Sequence, residues 1–327
     1  MKALTFNPST DEFSIKQLNK PSPSATEVLV KVEACGLNPV DAKVRFWKSM
    51  IPDQMNDNWV VGLDVVGTIE EVGSEVSDWK VGDKVQYHGN MSKPHGGLAE
   101  YAIHESSSLI KCPEKFSVEE VAAMPCAGWT AWRALVDKLQ VDHTDSLLVI
   151  GGSGGVGSLA VQIAKYALNC PNIIGVCSTD NVEFVRKMGA HHVIDYKTED
   201  ILEKVKEYTN QKGVTKALDA VGGDNDIIAA NALAFEGQMV ELVGTVRPKE
   251  YDNAFMKGLG FHQLSLGAGH GYDGGKTIVE AGKAFNKAWK AGKICIPQLQ
   301  TISLEEAGDA LVKILDKRTV GKIVVKM

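Results

Sequence analysis

The most specific chemistry in the sequence lies in Gly151-Gly152-Ser153-Gly154-Gly155-Val156-Gly157, which holds a G-x-G-x-x-G pattern at Gly152, Gly154 and Gly157. Glycines at this spacing let a backbone turn sharply and approach a pyrophosphate. The free N–H groups and positive dipole end of the following helix then attract that pyrophosphate. Alone the pattern is weak. Here it follows the apolar run Leu147-Leu148-Val149-Ile150 and opens a helical pattern with Leu159, Ile163 and Tyr166 at helical spacing, the context a dinucleotide site requires. Gly152, Ser153, Gly154, Gly155, Val156 and Gly157 are therefore the expected cofactor cradle.

The kind of dinucleotide is decided where the next strand ends, in Val176-Cys177-Ser178-Thr179-Asp180. An NAD enzyme usually places an acidic residue there to hold the ribose hydroxyls. Cys177 stands in its place, and Ser178, Thr179 and Asn181 can hydrogen-bond a 2′-phosphate without repelling it. Asp180 opposes this unless it turns outward to cap the helix beginning near Asn181. NADP(H) is the expected cofactor.

These turns need a framework to hold them. From about residue 123, apolar strands at 147–150, 173–177, 192–195, 216–221 and 239–244 alternate with helical stretches at 156–167, 181–188 and 200–209. Alternation of this kind builds a parallel doubly wound sheet. Residues 1–122 read instead as short β runs at 28–32, 65–72 and 84–87, broken by Gly, Pro and Asp, which suggests an antiparallel, barrel-like domain. Beyond 267, helical patterns at 275–290 and 303–316 lead to a last strand at 322–326; Ser303-Leu304-Glu305-Glu306 has capping-box spacing.

A chain of 327 residues with 44% hydrophobic and 23% charged residues fits a two-domain globular protein. A net charge of -6 and the lack of long basic clusters argue against nucleic acid as a partner. No stretch of about 18 apolar residues suggests a membrane span, and the start MKALTFNPSTDEF lacks a signal-peptide core, so a cytoplasmic protein is expected. The six cysteines are scattered without a C-x-x-C pair, which suits neither a disulfide framework nor a structural zinc site. The eight histidines show no ligand spacing and read mostly as surface or cap residues, and no Ser-His-Asp order supports hydrolysis.

Four segments carry a wider likeness: Ala34-Cys35-Gly36-Leu37-Asn38-Pro39-Val40-Asp41, Gly62-Leu63-Asp64-Val65-Val66-Gly67, Val81-Gly82-Asp83-Lys84-Val85 and the glycine turn. In this order and spacing they resemble the medium-chain dehydrogenase/reductase superfamily, and within it the zinc-free quinone oxidoreductase branch. The resemblance runs from Met1-Lys2-Ala3 to Gly321-Lys322-Ile323-Val324. It implies an α/β protein: a GroES-like β-barrel catalytic domain over 1–122, a Rossmann domain with a doubly wound parallel sheet binding NADP(H) over 123–266, and a return to the catalytic domain over 267–327. An active site in the cleft between the domains and a homodimer are implied as well.

Zinc enzymes of this superfamily carry Cys, His and Cys where this chain has Asn38, Leu63 and Cys126. Two of the three donors are missing, so no metal is expected and Cys126 reads as a structural thiol. The resemblance places Asn38 and Asp41 near the reacting centre. Asn38 could donate its amide N–H to a substrate oxygen and Asp41 could orient neighbouring backbone, or both could simply close a turn beside Pro39. Lys43 stands where these reductases often carry Tyr; it could supply a proton, attract an anionic substrate or lie in solvent. Tyr196 matches a position that contacts the adenosine ribose phosphate, and Lys317 or Arg318 could close that site. Gly244 and Gly267 lie where backbone groups would hold the nicotinamide amide, or both could simply be strand-end turns. The expected activity is NADPH-dependent hydride transfer to a small-molecule quinone or α,β-unsaturated carbonyl without zinc. The alternatives are an enoyl-thioester reductase and a non-catalytic NADP(H)-binding, redox-responsive module.

Overall fold

The computed structural model describes residues 1–51, 55–316 and 319–327. The chain divides into two compact units: Met1–Ala127 with Leu266–Asn286 and Gln298–Met327, and Gly128–Ser265 with Lys287–Pro297. The first boundary thus falls beyond the expected residue 122. Residues 287–297, expected in the returning segment, belong to the second unit, where the Cys295 N–H donates to Gln162 Oε1 at 2.8 Å.

In chain order, the first unit begins with β1 (Lys2–Asn7), β2 (Glu12–Gln17), β3 (Glu27–Leu37), β4 (Trp59–Val60), β5 (Asp64–Val72), β6 (Lys84–His88), β7 (Tyr101–Glu105) and β8 (Ile110–Lys111). The second contains β9 (Ser146–Ile150), β10 (Asn172–Cys177), β11 (His192–Asp195), β12 (Val214–Asp219), β13 (Leu233–Glu241) and β14 (Gly260–Gln263). The chain returns to the first unit with β15 (Leu299–Ile302) and β16 (Lys322–Lys326).

The first unit is built on β3, whose 11 residues pair antiparallel with β5 along its length, with β7 at one end and with β16 at the other. Val28, Val30 and Val32 enter the core with Ile69, Val85 and Tyr87; Lys31 between them is exposed, while Leu29 and residues 34–37 are buried, so the strand is wet on one face only near its middle. A second sheet, β2-β1-β4, is antiparallel too.

The second unit is a six-stranded parallel sheet in the order β11-β10-β9-β12-β13-β14. Leu147, Leu148, Val149 and Ile150 are all buried, as a strand covered on both faces must be. The strand order reverses between β10 and β12 around β9, so the crevice outside the carboxyl ends of these strands is where a ligand of this fold binds. Among the described residues no helix is long and apolar enough to cross a membrane.

Three boundaries differ from the sequence reading. β12 ends at Asp219 and β13 at Glu241, short of the expected 221 and 244, because each acid accepts N–H groups of the residues after it and bends the chain away. Ser303 donates its N–H to the Glu306 carboxylate at 2.8 Å, but regular helix begins only at Ala307.

The glycine turn shows why its last position is glycine. A Cβ on Gly157 would stand 2.1 Å from the Gly151 carbonyl oxygen, so the helix meets the turn backbone to backbone. Gly157→Ala should therefore cost about 1–3 kcal/mol from overpacking, read as a lower melting temperature together with lost dinucleotide affinity.

Candidate active site

In the first unit, the end of β3, the starts of β5 and β16 and the end of β6 bring a set of polar side chains into the interior. Asp64 is fully buried, and Asn38, Asp41, His88 and Lys322 are each less than 5% exposed. An isolated buried carboxylate would cost several kcal/mol, so its surroundings must supply donors or a positive charge. Asp64 has both. Its Oδ1 accepts from His88 Nδ1 at 2.8 Å, its Oδ2 from Asn38 Nδ2 at 2.9 Å, and the Cys126 N–H reaches both oxygens at 2.9 and 3.0 Å. The Lys322 ammonium lies 4.0 Å from Oδ2 and donates to the Leu37 carbonyl at 3.1 Å and to Asn38 Oδ1.

The Asn38 amide is thereby committed at both ends. Oδ1 takes Lys322 and Nδ2 gives to Asp64, with the Gly36 carbonyl 3.4 Å away. It offers no free N–H to a substrate oxygen in this arrangement, and its visible role is to orient Asp64 and Lys322. Asp41 fits the orienting role: Oδ2 accepts the Asn38 N–H at 2.9 Å at the start of the helical turn Pro39–Ala42. Its Oδ1 is buried without a hydrogen-bond partner, and burial with the nearby Asp64 charge pushes its carboxyl up to about 7. Tyr87 and His104 line the same cavity as Asp41. Burial drives both toward neutrality, raising the phenol and holding the imidazole well below its ordinary value. Lys43 ends the helical turn and is half-buried.

Sequence reasoning missed His88, His104 and Lys322. The histidines, expected mainly at the surface, include two that are 3% exposed. His88 is held from two sides, by Asp64 and by His270, whose Nε2 donates to the His88 carbonyl at 2.8 Å. Gly267 lies beside it, its Cβ position 3.7 Å from His88 Nε2. Gly244, expected to serve with Gly267, is in the second unit, and its N–H is taken by Glu241 at 2.8 Å.

Among the described residues, Asp64, His88 and Cys126 are the one group whose potential metal-ligating atoms lie within 4.8 Å of one another. The chemistry of the set does not fit zinc. The carboxylate is already engaged by N–H donors, an ammonium supplies the positive charge, and burial raises the Cys126 thiol well above its ordinary value, against the thiolate that a zinc-ligating cysteine must become.

In the second unit, Gly154 caps the helix Gly155–Gln162 and its N–H donates to the Gly151 carbonyl, so Ser153 sits at the bend of the turn. The first N–H groups of that helix, from Gly155 and Val156 onward, have no partners within it and suit a phosphate. At the end of β10, Cys177 is buried opposite Asp195 on β11. Asp195 accepts from Thr179 Oγ1 at 2.6 Å and from Thr198 Oγ1 at 3.1 Å, which hold its carboxyl low. Asn181 Nδ2 donates to Ser178 Oγ at 3.0 Å, leaving the Ser178 hydroxyl proton to point elsewhere. Tyr196 is half-exposed with the Lys197 ammonium 5.1 Å from its ring centre. Lys197 is a basic group beside Tyr196 that sequence reasoning did not single out. Arg318 and Lys317 lie outside the described residues.

Comparison with known proteins now defines the class. A model described as alcohol dehydrogenase GroES-like domain matches residues 24–114, and one described as zinc-binding dehydrogenase matches 155–284. Quinone oxidoreductases of Lama guanicoe and Pongo abelii are each 34% identical, over 235 and 226 residues, covering 70% and 67% of this chain and 68% and 65% of theirs. An NADPH-dependent alkenal/one oxidoreductase of Arabidopsis thaliana chloroplasts is 36% identical over 68% of this chain and 56% of its own length. A mycobacterial protein solved in complex with NADPH superimposes with a TM-score of 0.86 at 25% identity, covering 100% of both chains. The fold combines a GroES-like part with a Rossmann-like part. The chain belongs to the medium-chain dehydrogenase/reductase superfamily, as a quinone oxidoreductase-like member.

Asn38→Ala strips one partner from each of two buried charges and should destabilise the protein by about 3 kcal/mol in a denaturant melt. The raised Asp41 carboxyl gives a pH prediction. Its contribution to stability is complete below about 4, where the unfolded group titrates, and is lost as pH rises through about 7. Between pH 5 and 8 the wild-type melting temperature should fall relative to that of Asp41→Asn.

Proposed function

We propose that this protein is an NADPH-dependent, zinc-independent reductase that delivers hydride to a quinone or an α,β-unsaturated carbonyl, acting as a cytoplasmic homodimer. The observation that carries the cofactor preference is the end of β10. A buried cysteine stands where an acid would bind ribose hydroxyls, and Ser178, Tyr196 and Lys197 present a hydroxyl, a phenol and an ammonium nearby. When bound, the nicotinamide supplies the hydride. The turn from Gly152 to Gly157 would hold the pyrophosphate, and Ser178, Thr179, Asn181 and Lys197 the 2′-phosphate.

Support for working without zinc comes from the donor set around Asp64, where Lys322 already provides the positive charge. A site without a Lewis acid suits reduction at a conjugated carbon, because charge spreads onto an oxygen that N–H and O–H donors can stabilise. With the Asn38 amide committed to Asp64 and Lys322, those donors are backbone groups or Lys43, and Asn38 serves by holding the framework.

Two measurements test this. Oxidation of NADPH with EDTA present, against 9,10-phenanthrenequinone, 1,4-benzoquinone and a short enone, should proceed and outpace NADH; tight NADPH binding without turnover would leave only a binding module. Lys197→Ala should weaken NADPH binding about 3- to 10-fold and leave NADH unchanged, the signature of a lost charge-assisted contact to phosphate.

A further inference from the structure

Two acids at the carboxyl edge of the parallel sheet are unused by the reading above. Asp219 ends β12 and Glu241 ends β13; the two are register partners on adjacent strands and are 0% and 2% exposed. Each spends one oxygen on the turn that follows its own strand. Asp219 Oδ1 accepts the N–H groups of Val221 and Gly222 at 2.8 and 3.0 Å, and Glu241 Oε1 those of Val243 and Gly244 at 2.7 and 2.8 Å. The remaining oxygens, Asp219 Oδ2 and Glu241 Oε2, are buried with no other partner. Two buried carboxylates on adjacent strands, each with an oxygen left without a donor, disfavour both being charged, and one proton held by the pair would relieve this.

The turns these acids shape are packed into the glycine motif. Val221 Cγ2 lies 2.7 Å from where a Cβ on Gly151 would stand, and the Val243 side chain lies 2.8 Å from the Cβ position of Gly222, whose φ is +74°. A chain of contacts therefore runs from the Glu241 turn through the Asp219 turn to the pyrophosphate turn, along the edge where the fold binds its ligand. Charged groups on flanking elements are engaged elsewhere. Lys216 bonds Gln238 at 3.2 Å, Asp226 is held by Arg247 and Tyr251, and burial, with Lys138 and Lys216 adding to it, holds the His262 imidazole below its ordinary value. The sheet neighbours of the pair, Ile150 and Gln263, carry no charge.

We propose that Asp219 and Glu241 share one proton and act as positioning residues for the dinucleotide, so that cofactor affinity falls when the pair loses that proton. Loss of the proton leaves like charges on adjacent strands and forces apart the turns that brace the pyrophosphate cradle. Burial and the neighbouring Asp219 push the Glu241 carboxyl up to about 7, which places the change near neutral pH. The inference rests on the dinucleotide-binding reading given above.

The test compares wild type with Glu241→Gln and Asp219→Asn. Each amide keeps an oxygen for the turn N–H groups and gives the other acid a permanent N–H donor. Dissociation constants for NADPH are measured by fluorescence from pH 5.5 to 8.5, with KM and kcat alongside. The cofactor's own 2′-phosphate titrates near pH 6 in all three proteins, so the ratio of wild-type to variant dissociation constants is the readout. That ratio should be near one at the acid end and rise roughly tenfold by the alkaline end, one pKa unit of coupling, with wild-type KM for NADPH rising and kcat unchanged. A ratio that stays constant with pH in both variants would overturn the proposal and leave the dinucleotide reading standing. Absence of NADPH and NADH binding in wild type at every pH would overturn both.

Discussion

The first unit depends on one buried negative charge. Asp64 has no exposure to solvent, and a carboxylate so placed is tolerable only if its surroundings are built to receive it. Its donors and counter-charge come from residue 38 after β3, from the end of β6, from Cys126 and from the start of β16. Strands that pair through their backbones are thus also tied through side chains at a single point. Removing any donor leaves a charge short of a partner, so the residues around Asp64 are constrained together. Asn38 shows this most clearly, since both ends of its amide belong to the arrangement.

One pair of buried acids in the second unit is held differently. Asp219 and Glu241 have no ammonium between them; each is partly answered by backbone N–H groups, and the remainder is left to the pair. The two solutions have different consequences. An acid beside an ammonium has a standing counter-charge, whereas two acids side by side have only each other and the turn N–H groups.

What could be read in advance follows from the range of the interactions. The glycine turn, the buried strand before it and the helix after it are contiguous, so spacing alone revealed them. The alternation of strand and helix in the second unit was legible for the same reason. The Asp64 cluster was not, because Asn38, His88 and Lys322 lie far apart in sequence and periodicity carries no sign of their meeting. Lys322 read as an ordinary strand residue, and His88 as one histidine among eight. The strand ends at Asp219 and Glu241 were misplaced because apolar residues continue past both. What stops each strand is a side-chain carboxylate recruiting the next N–H groups, a local event that hydrophobic patterning does not record.

The position of β16 has a consequence for how the molecule is made. Its partner β3 is translated before the second unit, yet the pairing of Leu37 with Ile323 and the docking of Lys322 on Asn38 must wait for all of the second unit's parallel sheet to leave the ribosome. Until then Asp64 lacks its counter-charge, and the edge of β3 that β16 will cover stands open to other strands. The parallel sheet of the second unit, by contrast, is contiguous from β9 to β14 and can form during synthesis. The first unit to begin is therefore the last to close, and its assembly is the step at which a nascent chain is most exposed to mispairing.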